Sequence, residues 1–273
     1  MRKNILITGS TSGIGYSVLK NINKDQYNIF FVGRDSVKGQ NILDEMNNPN
    51  LNFLKCDLSE ISEIKKLISK LNHIDCIDIL INNAGAIYEK REINSNHIEK
   101  TFALNHLSYF YLTVALLDKI KKSPQPKIIN VASNAHKRFN IDLSDLENKK
   151  NYSGWKAYCQ SKLLNIYFTY EFSKRYNIQC NCVHPGFVNS NFGNNNSSLL
   201  RFFINILKNL FAISPDKAAE TILFLLKEDR SIDVTGKYFV KCKEKRTSKI
   251  SYNEKISNQI WNISYKYIEK YLS

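Results

Sequence analysis

Short apolar runs alternate along the chain with longer stretches of helical periodicity. The apolar runs have the length of β-strands and lie at residues 5–7, 29–32, 51–54, 77–81, 128–131 and 178–183. The helical stretches between them lie at 14–22, 36–46, 59–71, 94–120 and 157–176. Parallel strands need crossover helices, and strands covered on both faces are apolar throughout. The pattern therefore predicts an α/β fold, a doubly wound parallel sheet of the Rossmann type with helices on both faces.

The chain of 273 residues has no repeat, low-complexity tract or change of composition that would divide it. A polar loop at 193–198 is too short to be a linker between domains. We therefore predict one nucleotide-binding Rossmann domain over residues 1–273. A helix at 216–227 and a last strand at 238–240 complete the predicted sheet, and the tail at 251–273 has a helical pattern.

The chain is basic, with a formal net charge of +14 from 39 Lys and Arg against 25 Asp and Glu. A concentrated basic face would favour a nucleic-acid partner. The surplus is instead spread along a chain that is also rich in Asn and Ile, and its densest basic clusters, at 119–122 and 241–246, are short. We therefore expect no nucleic-acid partner.

Cysteine spacing and hydropathy indicate the cellular compartment of the protein and whether it binds a metal or spans a membrane. The six Cys form no C-x-x-C pair and no metal-ligand spacing with the five His, so we expect reduced thiols and no metal site. No uncharged apolar run reaches about 18 residues, and the segment before the first predicted strand is too short for a signal peptide. The expectation is a cytoplasmic protein without a transmembrane span.

A glycine-rich segment joins the first predicted strand to the first helix. Its glycines allow a sharp turn and a close approach of the backbone to a pyrophosphate, whose charge the free amides of the helix N-terminus can bind. A tight turn without a ligand is the alternative, and the strand before the loop and the helix after it favour the nucleotide. The predicted contacts in this loop are Thr8, Gly9, Ser12, Gly13, Ile14 and Gly15.

Several motifs resemble one known family. The glycine spacing Gly9-x-x-x-Gly13-x-Gly15 is similar to that of the short-chain dehydrogenase/reductase family. Tyr158 and Lys162 lie four residues apart, on one face of a helix, and the residues around them resemble the retinol-dehydrogenase-like branch of that family. Further matching motifs, which extend the resemblance over nearly the whole chain, lie at 82–85, 105–107, 133 and 184–186.

The resemblance implies a catalytic set of Asn105, Ser133, Tyr158 and Lys162. In carbonyl reduction the carbon receives a hydride while the oxygen gains a proton, so a proton donor such as Tyr158 must stand beside that oxygen. Positive charges on Lys162 and on the oxidised nicotinamide are expected to lower the phenol pKa from about 10 toward the working pH. By the same resemblance, Lys162 also binds the nicotinamide ribose and Ser133 meets the substrate oxygen. The resemblance also implies that Asn105 supports a helix kink and a water that joins Lys162 to solvent.

Arg34 follows the second predicted strand, where NAD enzymes place an acid that holds the ribose 2′-hydroxyl. A guanidinium can pair with a 2′-phosphate, so we predict NADP (NADPH) as the cofactor, with a solvated surface arginine as the alternative. Asp57 resembles the family acid that meets the adenine amino group, or it caps a helix that starts near Ser59. The other cofactor contacts that the resemblance implies are Leu58, Asn83, Ala84, Gly85, Pro185, Gly186, Val188 and Ser190.

The substrate side of the predicted site lies after the sixth strand. Residues 199–213 have a helical pattern in which Arg201, Asn205 and Lys208 form a polar stripe on an otherwise apolar surface. The resemblance implies a substrate lid near 190–214, over an apolar carbonyl or alcohol. A core helix, a subunit contact and a helix lying in a membrane interface are the alternatives. A homodimer and peripheral membrane contact through 199–213 therefore stay open.

These features predict an NADP-dependent oxidoreductase that interconverts an apolar aldehyde or ketone and its alcohol, of retinoid, sterol or aliphatic type. A regulatory nucleotide-binding protein that kept the fold and lost turnover is the alternative. The intact catalytic set argues against it, because a binding module needs no proton donor. Three histidines in family-like stretches, His106, His136 and His184, are interpreted as structural.

Overall fold

A computed structural model describes residues 2–186, 213–227 and 234–272. Val188, Ser190 and the predicted lid up to residue 212 lie outside the described residues. The strands are β1 Lys3–Thr8, β2 Tyr27–Gly33, β3 Leu51–Lys55, β4 Ile79–Asn82, β5 Lys127–Val131, β6 Gln179–His184, β7 Tyr238–Val240 and β8 Lys243–Lys245.

The strands form one sheet in the order β3-β2-β1-β4-β5-β6-β7-β8. Neighbouring strands from β3 to β7 pair in parallel, and the order reverses between β1 and β4. The predicted doubly wound parallel sheet is confirmed. In sheets of this kind ligands bind beyond the carboxyl ends of the strands, at the reversal.

The last strand, β8, pairs antiparallel to β7 and was not predicted. Lys241 and Cys242 form the tight turn between the two strands, with φ angles of 50° and 60°. The residues of β8 are charged and exposed, so a search for apolar runs cannot find them. Charged side chains on an edge strand also discourage pairing with another sheet.

Helices cover both faces of the sheet. They are α1 Gly13–Asn21, α2 Ser36–Met46, α3 Ile61–Lys70, α4 Lys100–Phe102, α5 Ser108–Ala115, α6 Leu117–Lys121, α7 Gly154–Arg175, α8 Pro215–Lys227 and α9 Glu254–Ile268. A π-helical turn at Ala103–Leu107 joins α4 to α5, and a 3-10 turn at Asn134–Lys137 follows β5. Within the described ranges, every helix is too short or too polar to cross a lipid bilayer.

The predicted helix at 94–120 begins later than expected and is interrupted. The Glu99 carboxylate accepts hydrogen bonds from the amides of Thr101 and Phe102, both at 2.7 Å, so the helix starts at Lys100. The π turn then widens it before α5 begins. Apolar periodicity does not reveal these breaks, because nearly every side chain of the region is buried.

Alternate side chains of each strand pack against opposite helical layers. Leu6 and Leu80 contact the layer formed by α3, α5, α7 and α9. Ile5, Ile7 and Ile81 contact the layer formed by α1, α2 and α8. The central strands are therefore buried on both faces, which explains why their sequences are apolar without alternation.

Trp261 packs α9 against the layer that contains the central helix α7. Its ring centroid lies 4.9 Å from that of Phe110 and 6.0 Å from that of Phe168. The Arg175 guanidinium lies 4.6 Å from the indole centroid, and Trp261 is only 7% exposed. The C-terminal helix is therefore part of the core and not an appendage.

Replacing this tryptophan tests that conclusion. Trp261→Ala is expected to lower the free energy of unfolding by about 3–5 kcal/mol, because it removes apolar contacts and leaves a cavity. Tyr265→Ala removes an aromatic ring from the same helix at a position that is 40% exposed, and should cost about 0.5 kcal/mol or less. Urea unfolding followed by circular dichroism measures both. Equal losses for the two variants would show that α9 does not belong to the core.

Candidate active site

The carboxyl ends of β1 and β4 are joined by hydrogen bonds between Thr8 and Asn83. The Thr8 hydroxyl accepts from the amides of Asn83 (2.9 Å) and Ala84 (3.1 Å). The Asn83 side-chain amide donates to the carbonyls of Thr8 (2.9 Å) and Gly9 (3.1 Å). Thr8 is fully buried, so its hydroxyl braces the strands at the order reversal and does not face outward.

The glycine loop above these strands has the shape that a pyrophosphate needs. Gly9 has φ = 67°, and a Cβ atom there would lie 2.7 Å from the Cα of Ala84. A Cβ atom at Gly15 would collide with the carbonyl of Gly9. Ser12 stands at the N-cap of α1 and makes no side-chain capping bond, which leaves the first amides of the helix for a ligand. The loop therefore fits a dinucleotide, with Gly13 and Ile14 in the first turn of α1.

Arg34 follows β2 and Asp57 follows β3, so both lie beyond the carboxyl ends of two neighbouring parallel strands. Asp35, which follows Arg34, caps α2 by accepting from the Lys38 amide at 3.1 Å. Asp57 accepts from the amide (2.9 Å) and hydroxyl (2.7 Å) of Ser59. Because α3 begins at Ile61, Asp57 is not its N-cap, and that alternative is wrong.

Tyr88 is a residue of this region that the sequence analysis did not select. Burial, followed by the nearby Asp57 charge, raises the pKa of its phenol to about 12, against the opposing effect of the Arg34 charge. Both charges therefore act on the Tyr88 ring, which is 7% exposed. Its position three residues after Gly85, in the loop beyond β4, was the available clue.

The remaining predicted cofactor contacts differ in exposure. Leu58 and Ala84 belong to the apolar core, with 4% and 7% exposure. A Cβ atom at Gly85 would lie 3.3 Å from both Asn105 Oδ1 and Lys162 Nζ, so this glycine admits both side chains. Pro185 and Gly186 follow β6, and Gly186 has φ = 102°.

Tyr158 and Lys162 project from one face of α7, one turn apart. The Lys162 ammonium donates to the carbonyl of Val131, at the end of β5, at 3.2 Å. It lies 5.6 Å from the ring centroids of both Tyr158 and Tyr109, and Lys162 is only 3% exposed. The structure thus brings the predicted pair to the carboxyl end of the sheet.

Ser133 lies two residues after the end of β5 and is fixed by its own turn. Its hydroxyl accepts from the amide of Ala135 at 3.2 Å and forms a side-chain hydrogen bond with Tyr158. Nδ1 of His136 donates to the Ser133 carbonyl at 2.6 Å, while Nε2 accepts from the amide of Ser248 at 3.1 Å. His136 is therefore neutral and holds the Ser133 turn in place.

Asn105 lies in the π turn and uses its whole side chain to hold the site together. Its Oδ1 accepts from the Ala86 amide at 2.9 Å, and its Nδ2 donates to the Ala86 carbonyl at 2.9 Å and to the Ser161 hydroxyl at 3.0 Å. Its main-chain carbonyl accepts from the Asn165 side chain at 2.9 Å. Asn105 therefore connects the loop after β4 to the helical turn between Tyr158 and Lys162.

The neighbouring His106 connects the π turn to the C-terminal helix. Its Nδ1 donates to Asn165 Oδ1 at 3.3 Å, and its Nε2 accepts from the Ser264 hydroxyl at 2.8 Å. Burial lowers the pKa of this imidazole to about 4, so it is neutral near pH 7. These contacts give His106 a structural position between α7 and α9.

Burial shifts the pKa values of the catalytic pair in opposite directions, away from each other. It raises the pKa of Tyr158 to about 12, against the opposing hydrogen bond from Ser133, and lowers the pKa of Lys162 from 10.5 to about 7. The expected lowering of the phenol pKa by Lys162 together with an oxidised nicotinamide concerns the protein with its cofactor, and it stays a prediction. Desolvation dominates both groups, and an ammonium with a pKa near 7 is itself partly neutral at that pH.

Sequence comparisons place the chain in a known family. A family model described as short chain dehydrogenase matches residues 3–199. Human retinol dehydrogenase 13 is 32% identical over 272 residues, which cover 95% of this chain and 82% of that protein. Human polyprenol dehydrogenase is 29% identical over 273 residues, which cover 95% and 83%.

Solved structures of low sequence identity share the fold. An uncharacterized protein from Mycobacterium Paratuberculosis superposes with a TM-score of 0.80 at 22% identity, over 98% of this chain and 93% of that one. A variant of actinorhodin polyketide ketoreductase with NADPH has a TM-score of 0.67 at 21% identity, over 87% and 95%.

The sheet, the glycine loop and the Ser133–Tyr158–Lys162 cluster define a class of oxidoreductases that use a nicotinamide nucleotide. The chain belongs to the short-chain dehydrogenase/reductase family, in its retinol-dehydrogenase-like branch.

The lowered pKa of Lys162 has a consequence for stability. Between pH 7 and pH 10.5 the unfolded chain binds a proton at this lysine that the folded protein does not, so its burial destabilises the fold increasingly as the pH falls through this range. Lys162→Met removes this cost. The measured quantity is the free energy of unfolding of the variant minus that of the wild type, in the protein without cofactor. This difference should be larger at pH 6 than at pH 10, by up to about a few kcal/mol.

Denaturant unfolding at the two pH values measures the difference. Lys66→Met, which replaces an exposed lysine on α3, is the matched control and should show no such dependence on pH. A stability difference between Lys162→Met and wild type that is the same at pH 6 and pH 10 would contradict the inferred burial of the ammonium.

Proposed function

We propose that the protein is an NADP(H)-dependent oxidoreductase that interconverts an apolar aldehyde or ketone and its alcohol. The observation that carries the proposal is the cluster at the carboxyl end of β5, where Ser133 is hydrogen-bonded to Tyr158 and Lys162 lies 5.6 Å from the Tyr158 ring. Two hydroxyls and one amine converge there, and the Lys162 amine adjoins Gly85 in the loop after β4. A nucleotide-binding module without turnover does not require a proton donor at that point.

The two hydroxyls can bind and protonate one substrate oxygen. Ser133 is held by its turn, so it fixes the position of that oxygen, and Tyr158 donates the proton that the oxygen gains. When NADPH is bound, it supplies the hydride that the carbonyl carbon receives. In the oxidative direction Tyr158 takes the proton from the alcohol.

Lys162 stabilises the phenolate that remains after proton transfer. Burial disfavours the ammonium and the phenolate when each stands alone, as the lowered pKa of Lys162 and the raised pKa of Tyr158 show. An ion pair relieves part of that cost for both groups. The loss of a proton from Tyr158 therefore favours a charged Lys162, which in turn favours the phenolate.

The preference for NADP(H) rests on Arg34. Its guanidinium follows β2, at the position where a carboxylate would repel a 2′-phosphate. The one carboxylate next to it in sequence, Asp35, accepts from the Lys38 amide and lies 3.9 Å from the Lys38 ammonium. Asp35 is therefore engaged with its own helix, which supports Arg34 as the group that meets the ribose.

The apolar nature of the substrate is supported by the relatives. Two of them are named retinol dehydrogenase and polyprenol dehydrogenase, and both names refer to apolar alcohols. We also propose that residues 199–213 form a substrate lid. Peripheral contact with a membrane through that segment and a homodimer are further proposals. The segment lies outside the described residues except for Ile213, whose side chain lies against Gly186.

Replacing the proton donor tests the proposed activity. Tyr158→Phe is expected to reduce turnover by at least about two orders of magnitude, because general acid catalysis contributes on that scale. Tyr167→Phe is the matched control on the same helix. Its hydroxyl donates to the Ile250 carbonyl at 2.7 Å, away from the site, so turnover should be nearly unchanged.

NADPH oxidation with apolar aldehydes measures turnover of both variants, and a fluorescence titration measures their affinity for NADPH, which should stay close to wild type. Full activity of Tyr158→Phe would remove this residue from the mechanism. Loss of activity together with loss of NADPH affinity would indicate a damaged site and not a missing proton donor.

The choice of cofactor is tested at Arg34. Arg34→Ala should weaken NADPH binding far more than NADH binding, by about tenfold or more, because only NADPH carries the 2′-phosphate that the guanidinium can pair with. Lys20→Ala, at the opposite end of α1 from the glycine loop, removes a charge without touching the site and should change neither affinity. Dissociation constants from fluorescence titration decide the matter. Equal losses for the two cofactors would refute the assignment.

A further inference from the structure

Trp155 is an exposed aromatic residue beside the catalytic pair. It lies in the first turn of α7 and is 46% exposed, whereas the other tryptophan of the chain, Trp261, is 7% exposed. Large aromatic side chains contribute most when they are buried, so an indole left partly in solvent beside the catalytic pair is available to gain contacts with a ligand there.

The indole of Trp155 lies against the ring of the proton donor. The centroids of Trp155 and Tyr158 are 5.8 Å apart, and the ring planes differ by 23°. Lys162 lies one turn beyond Tyr158 in the other direction along α7, with its ammonium 5.6 Å from the Tyr158 centroid. Tyr158 is therefore placed between a buried cation on the inner side and an exposed indole on the outer side.

This arrangement assigns the two sides of Tyr158 to different ligands. The Lys162 side adjoins Gly85 and the loop after β4, where the family resemblance implies contacts with the cofactor. The Trp155 side opens to solvent, from which the substrate must arrive. A carbonyl whose oxygen meets Ser133 and Tyr158 then has its substituent next to the indole.

We infer that Trp155 is a substrate-binding residue that selects carbonyl compounds in which a flat, unsaturated or aromatic group is attached to the carbonyl carbon. A flat group can stack on the indole face while its oxygen stays with the two hydroxyls, and a puckered saturated ring of equal carbon number cannot approach as closely. The inference rests on the proposed function and narrows its substrate class.

The test compares benzaldehyde with cyclohexanecarbaldehyde, which differ in flatness and not in the number of carbon atoms. The measured quantity is the ratio of kcat/KM for the two aldehydes. A change in the concentration of active enzyme or in the strength of the proton donor affects both values alike and therefore cancels in the ratio. Trp155→Leu should lower this ratio about threefold to tenfold, because stacking contributes on that scale. Trp155→Phe keeps a flat ring and should restore most of it.

A second measurement does not depend on turnover. In the Trp261→Phe variant, Trp155 is the only tryptophan, since the chain has two. With NADPH bound, benzyl alcohol cannot react, and it should shield the Trp155 emission from quenching by acrylamide. Cyclohexylmethanol at the same concentration should shield it less.

The outcomes separate the inference from the proposed function. An unchanged ratio in Trp155→Leu, or an equal loss for both aldehydes, would overturn the substrate role of Trp155 and leave the oxidoreductase function standing. Absence of shielding by benzyl alcohol would overturn it as well. Shielding without reduction of any carbonyl compound would support the binding site and refute the proposed activity.

Discussion

The burial of the Lys162 ammonium is the constraint on which the rest of the site depends. A cation this deep in a protein needs a hydrogen-bond partner, and the carbonyl of Val131 at the end of β5 provides one at 3.2 Å. That contact fixes α7 against the carboxyl end of the sheet and thereby places Tyr158 beside Ser133. The same burial lowers the pKa of Lys162 to about 7 and raises that of Tyr158 to about 12. The two shifts are opposite because one group is charged when protonated and the other when deprotonated.

Parts of the chain far from the site in sequence hold it in place. His136 receives the Ser248 amide and so connects the Ser133 turn to the segment after β8. His106 accepts from Ser264 of α9 and donates to Asn165 of α7. Both imidazoles have lowered pKa values because they are buried, and their neutral form lets one nitrogen donate while the other accepts. Histidine suits these positions because a single buried side chain satisfies two polar groups on different elements.

Much of the fold follows from local sequence patterns, and the errors have identifiable causes. Strand β7 was predicted with its observed bounds, Tyr238–Val240, because these three residues form a short apolar run. The antiparallel β8 was missed because its three charged residues carry no apolar pattern. The start of α4 was misplaced because Glu99 caps it through a buried carboxylate, and periodicity does not distinguish an apolar loop from an apolar helix. Only hydrogen bonding separates those two cases.

The sequence by itself determined the alternation of strands β1 to β7 with helical segments along the chain, the glycine loop and the pairing of Tyr158 with Lys162, because each depends on spacing within one segment. The tertiary structure decided what spacing cannot express. It set the direction in which the pKa of Lys162 shifts. It also brought the Thr8 hydroxyl within hydrogen-bonding distance of the Asn83 amide, and it stacked the Trp155 ring against the Tyr158 ring. Desolvation and contacts between distant segments arise only when the helical layers close over the sheet, and no local pattern in the chain records how much water that closure removes.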